Sequence, residues 1–73
     1  MFNGNPLEFY KQELPRFVIL SKNILKFLRE GKTLEEACAK AGVVQNEFNI
    51  WKLWADKGLQ PYADFFREIQ NYL

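Results

Sequence analysis

The chain contains no histidine and a single cysteine, Cys38. Those two scarcities exclude a good deal. One thiol cannot close an internal disulfide, which places the expected compartment in the reducing cytoplasm. One thiol without imidazole cannot build a zinc centre either, so no metal is expected, and nothing in the chain asks for another cofactor. General acid–base catalysis loses its commonest agent. The acids left for it, Glu35, Glu36 and Asp64, stand where helix capping and solvation account for them. Glycine is scarce as well: four residues, dispersed as helix stops, form no phosphate-cradling loop. The expectation is a protein that is not an enzyme.

Long apolar runs are also missing. No stretch approaches the roughly 18 apolar residues that a membrane-crossing helix needs. The opening residues, MFNGNPLEFY, lack the basic and then apolar segments of a secretion signal. A soluble cytoplasmic chain is therefore expected. Charge of one sign is the last absence. Ten Lys and Arg oppose nine Asp and Glu, leaving +1 and an isoelectric point near 7.8. That lies below the basic range typical of nucleic-acid-binding domains. Any contact with nucleic acid must use a local patch, or several chains acting together.

Apolar and aromatic surface is what the chain does have. Hydrophobic residues make up 48% of the 73 positions and aromatics 16%, a composition that disordered chains do not show. Seven Phe, three Tyr and two Trp supply enough burial for one core without covalent staples. One domain is expected over residues 1–73: N-terminal helices over 1–30, a helix-turn-helix over 31–58 and a C-terminal helix over 59–73. The fold class is all-α, with four to five helices and no segment that alternates like a strand.

Proline and glycine mark the element ends. Asn5-Pro6 reads as a cap followed by proline at the first helical position, opening a short helix from Pro6 to Leu14. Pro15 disfavours helical backbone at Leu14, so that helix is expected to end or kink there. A second helix from Pro15 to Glu30 carries Phe17, Leu20, Ile24, Phe27 and Leu28 at three- and four-residue steps, and Gly31 stops it. Thr33-Leu34-Glu35-Glu36 then matches the capping box, in which Thr33 and Glu36 satisfy each other's backbone amides. The helix it opens runs from Leu34 to Ala41 and stops at Gly42. After Val43-Val44 a further helix extends from Gln45 to Lys57, with Phe48, Trp51 and Trp54 or Ala55 turned inward, and Gly58 ends it. Pro61 opens the last helix, to Tyr72, with Phe65, Phe66, Ile69 and Leu73 as its packing residues.

Residues Thr33 to Gly58 meet the demands of a helix-turn-helix of the DNA-binding type. That motif needs a short helix, a tight turn and a second helix crossing close to the first. Close crossing requires small side chains, which Ala37, Cys38 and Ala41 supply. Gly42 supplies a turn residue that adopts positive φ at little cost. Val43 plugs the turn, and Leu34, Phe48 and Trp51 complete the inward set. The plainer alternative is a helical hairpin with a glycine turn, which asks for less of the sequence than these seven positions provide.

The run GKTLEEACAKAGVVQNEFNIW, the Gly58 break and PYADFFREIQ resemble the small subunits of phage DNA-packaging terminases and related helix-turn-helix proteins of phages and mobile elements. The DNA-binding segment of that family begins G-K-T-x-x-x-A-x-x-x-A-G-hydrophobic and continues with an aromatic second helix, a glycine and a Tyr-x-x-Phe-Phe helix. Gly31, Lys32, Thr33, Ala37, Ala41, Gly42, Val43, Phe48, Trp51, Gly58, Tyr62, Phe65 and Phe66 fit that pattern, over residues of about 24 to 70. Val44 departs from it where a capping Ser is usual, Asn49 where Tyr is common and Ile50 where a basic residue is common. The chain also leaves little room for the segment that assembles terminase small subunits into rings. What the resemblance implies is recognition of double-stranded DNA, in packaging or as a small regulator.

The docking geometry of the motif turns the N-terminal part of its second helix toward base edges in the major groove. Gln45, Asn46, Asn49 and Ile50 are the candidates there: the amides suit adenine, and an aliphatic group suits a thymine methyl. The competing reading of three amides is a solvated helix face. Lys32, Lys40, Lys52 and Lys57 are the candidate phosphate contacts, which position a protein without reading sequence. Cys38 reads as a small filler at the crossing. The rival function is protein binding, with the chain as a phage-encoded modulator of a host protein. Phe2, Phe9, Ile50, Leu53, Trp54 and Tyr72 are more apolar surface than so small a domain readily buries, and the excess would form a homo-oligomer contact or a partner groove.

Overall fold

The computed structural model describes residues 6–73, with side chains described from Tyr10 onward. The Asn5 cap and the surplus apolar side chains of Phe2 and Phe9 lie outside what it describes. Four helices, α1 (Pro6–Arg29), α2 (Leu34–Ala41), α3 (Gln45–Asp56) and α4 (Tyr62–Ile69), are followed by a 3₁₀ turn, Gln70–Tyr72. There is no strand among the described residues. The architecture is all-α, as the sequence indicates.

The first helix corrects the expected break at Pro15. Helix α1 runs unbroken for 24 residues with Pro15 inside it. Proline within a helix removes one backbone hydrogen bond and costs about 3 kcal/mol or more. Burial of one continuous face offsets that loss. Tyr10, Leu14, Phe17, Ser21, Ile24 and Leu28 follow one another at steps of three and four across the proline, and all six are buried or half-buried. Pro15 itself is exposed, as is Lys11 one turn earlier, so the carbonyl that loses its partner can turn to water. A ring on the outer face interrupts the hydrogen bonding but not the packing.

The turns obey their local signals. Thr33 accepts from the Glu36 amide at 3.1 Å while the Glu36 carboxylate accepts from the Thr33 amide at 3.0 Å, which completes the capping box. Those bonds, backbone first, hold the Glu36 carboxyl below its ordinary range. At the end of α2, Gly42 takes φ 84°, and the Val43 amide reaches back to the Cys38 carbonyl at 2.9 Å. Side-chain-bearing residues rarely adopt that backbone conformation. The final helix is shorter than expected, stopping at Ile69 before the 3₁₀ turn, and Leu73 is 67% exposed rather than packed.

One core joins all four helices. Phe17, Ile24, Leu28, Ala37, Val43, Trp51, Trp54, Tyr62, Phe65 and Ile69 are its buried members. Phe17 is the hub: its ring lies 4.9 Å from Trp51 and 5.4 Å from Phe65, edge-on to both, and 4.3 Å from Tyr62. Edge-to-face pairs of this kind add roughly 0.5–1.5 kcal/mol each beyond the area they bury. The Tyr62 hydroxyl, which the core would otherwise strand, donates to the Tyr10 carbonyl at 2.6 Å. Burial pushes its ionisation up to about 12.

All seven inward positions expected of the turn segment join this core. Ala37, Val43 and Trp51 are buried, and Leu34, Cys38, Ala41 and Phe48 pack half-buried against them. The partial exposure has a cause. Helix α2 is only eight residues long, and a cleft of about 400 Å³ opens between it and the start of α3, lined in part by Leu34, Cys38, Val43 and Phe48. Burial raises the Cys38 thiol above its ordinary pKa, which leaves it a neutral apolar filler at the crossing.

Candidate nucleic-acid interface

Helix α3 follows α2 after three residues, Gly42, Val43 and Val44, and its two faces differ sharply. Trp51 and Trp54 are buried and anchor it to the core; Phe48 and Ala55 pack beside them. Side chains turn by roughly 100° per residue along a helix, so the opposite face carries Gln45, Asn46, Asn49, Leu53 and Asp56. All five are exposed. Val44 precedes the helix in extended conformation and makes no side-chain cap, the consequence of lacking the hydroxyl that a serine would offer.

Within that face the structure brings two of the candidate base-reading residues together. Gln45 Nε2 donates to Asn49 Oδ1 at 2.9 Å, one turn apart. The pair keeps the Gln45 oxygen as a free acceptor and the Asn49 nitrogen as a free donor, the two functions an adenine edge requires. Asn46 stands beside it, exposed. Ile50 sits one turn on from Asn46 at the margin of the face, 41% exposed, beside Val44 at 65%. Leu53, at 42%, extends the apolar margin. Trp54, counted with these in the apolar surplus, is instead 1% exposed.

The candidate phosphate contacts are dispersed. Lys32 precedes α2, Lys40 lies in its last turn, Lys52 is on α3 and Lys57 caps the C-terminal end of α3. All four are exposed. Lys52 is engaged on its own helix, with Nζ 3.8 Å from Asp56 Oδ2.

Glu47, an acid in the first turn of α3, is half-buried and turned toward α1 rather than toward the outward face. Arg16 of α1 grips the Glu47 carboxylate with both nitrogens of its fork, Nε at 2.6 Å and Nη2 at 3.2 Å. That bond keeps Glu47 below its ordinary pKa. Glu13 joins the cluster, with Oε2 at 3.9 Å from Arg16 Nε and accepting from the Trp51 indole at 3.4 Å. Burial, with a hydrogen bond to Glu47, pushes the Glu13 carboxyl up to about 7. The outward face of α3 is accordingly less acidic than its sequence. Glu13 and Arg16 could have been found only by reading α1 through Pro15, which puts them on the turn next to Phe17.

No family model matches the chain, and neither a curated protein nor a solved structure shows significant similarity to it. Among the described residues no group of His, Cys, Asp and Glu could hold a metal ion, and no helix is long and apolar enough to cross a membrane.

Proposed function

We propose that the chain is a helix-turn-helix DNA-binding protein of phage or mobile-element type, similar to the terminase small subunits or to a small regulator, and that it acts in the cytoplasm as a homo-oligomer. The observation that carries this reading is the exposed amide edge of α3. Gln45, Asn46 and Asn49 stand together on the solvent side of a helix whose other side is fixed by two buried tryptophans, directly after a three-residue turn. In this role the amides and Ile50 meet base edges, and Lys32, Lys40, Lys52 and Lys57 meet phosphates. Asn46→Ala and Asn49→Ala should each cost about 1–3 kcal/mol at a preferred site selected from random duplexes, and little on unselected duplex. Equal losses on both would count against base reading.

A second reading, a protein-interaction module, is favoured by a different observation. Val44, just before α3, and Ile50 and Leu53 on it expose three aliphatic side chains. A contact made through them would scarcely respond to salt, whereas DNA binding should weaken steeply.

A further inference from the structure

We propose that the outer face of the second half of α1 is a surface for a nucleic-acid phosphate backbone, separate from the edge of α3 and indifferent to sequence. Its basis is a segregation of charge that the near-neutral total conceals. Residues 14–32 hold five of the ten cations, Arg16, Lys22, Lys26, Arg29 and Lys32, against one acid, Glu30. That segment carries +4, so the rest of the chain carries −3. Arg16 is taken by Glu47. Lys22, Lys26 and Arg29 follow one another at steps of four and three, all exposed. Such steps put them within an arc of roughly 60° on the helix. Helix α1 has no acid after Glu13, and among the described residues none of the three cations forms an ion pair.

The stripe is turned away from α3. Glu13, which accepts from the Trp51 indole of α3, stands roughly 140–180° round the helix from all three cations. A duplex held here and a duplex read by Gln45, Asn46 and Asn49 therefore meet different sides of the domain. Helix-end electrostatics accounts for part of the pattern. Lys26 and Arg29 lie in the last turn of α1, where the carbonyl end of a helix favours cations. Lys22 lies nearly two turns earlier, beyond the reach of that effect. Lys26 is not otherwise committed: its Nζ is 6.0 Å from the Phe27 ring, the outer limit of cation–π attraction.

A row of cations without an acid among them suits a linear polyanion. From Lys22 to Arg29 the helix rises about 10 Å, close to three phosphate steps along one strand of a duplex. The free ammonium and guanidinium groups keep their donors for phosphate oxygens. A membrane surface also offers phosphate, but a helix that lies in it must bury an apolar face there. The apolar face of α1 is already spent: Phe17, Ile24 and Leu28 are buried in the core, leaving Val18 and Ile19 outside. The chemistry favours nucleic acid over lipid.

The test is fluorescence anisotropy of the full chain on unselected mixed-sequence duplex across a salt series, with the variant K22Q/K26Q/R29Q. Neutralising three phosphate contacts should lower the logarithmic salt slope by roughly two to three, and Lys22→Gln alone by about one. The single variant, away from the helix end, decides if the triple variant fails to fold. The ratio of affinities for selected and unselected duplex should stay as in the wild type, because the stripe does not read bases. A wild-type slope in the folded triple variant overturns the proposal, and leaves the α3 reading standing if Asn46→Ala still lowers that ratio. Binding that needs the stripe but ignores Asn46→Ala and Asn49→Ala supports the proposal and removes base reading by α3. Wild-type chain that binds phosphatidylserine vesicles and no duplex at low salt overturns it in favour of a lipid surface.

Discussion

Glu47 and Asp56 are both acids of α3, yet they bear on the proposed interface in opposite ways. Glu47 is drawn off by Arg16 to the α1 side, where its charge is spent on holding two helices together. Asp56 stays on the outward face and holds Lys52 at 3.8 Å. An exposed pair of this kind contributes little to stability, at most about 1 kcal/mol. Its larger effect is to place a negative charge where DNA phosphate would approach. Asp56→Asn should therefore leave folding nearly unchanged and strengthen binding to every duplex alike, since Lys52 becomes free for a phosphate. Fluorescence anisotropy on selected and unselected duplexes checks this. A gain confined to one sequence, or a loss on both, would show that Lys52 and Asp56 act in some other way.

Element by element, what was legible in the sequence is what local chemistry decides. The capping box at Thr33 and the stop at Gly42 are settled within a turn of backbone, and α2 begins and ends where those residues indicate. Gly42 gives the cleanest test. A Cβ built there meets nothing within 4 Å, so Gly42→Ala should cost only the positive-φ strain, about 1–2 kcal/mol, and Gly42→Asn should recover part of it. Thermal melts should show a drop of roughly 4–16 °C for alanine and a smaller one for asparagine. Equal melting of wild type and G42A would contradict the left-handed turn. What sequence could not show was settled by contacts distant along the chain. Pro15 carries a strong local signal to stop, but the face shared by Tyr10, Leu14, Phe17 and Ile24 overrides it from outside the segment. The Arg16–Glu47 bond joins residues 31 apart, and no periodicity announces it. Phe48 and Leu34 are inward in the helical pattern, yet the cleft beside α2 leaves both half-exposed. Of the candidate interface, the exposed positions on α3 follow from helical period alone, whereas the Gln45–Asn49 bond and the diversion of Glu47 needed side chains in place.

At the scale of the whole molecule, one aromatic core carries the fold and a modest apolar surplus is left outside it. Val18, Ile19, Val44, Ile50, Leu53, Tyr72 and Leu73 are exposed on three separate stretches of the chain. A single small domain of net charge +1 offers weak electrostatic attraction to DNA, so two copies sharing one duplex would add affinities that neither has alone. Sedimentation at high micromolar concentration without DNA should show a dimer or larger species. A monomer under those conditions would remove association from the account. The central claim, that α3 and its flanking lysines engage duplex DNA, is tested most directly by the salt dependence of binding. Affinity for duplex should fall linearly on logarithmic axes as salt rises, and Lys52→Ala should lower the slope by about one while weakening selected and unselected duplexes equally. Failure of the wild-type chain to bind any duplex at low salt, oligomer included, would contradict the account and leave α3 as a surface for protein.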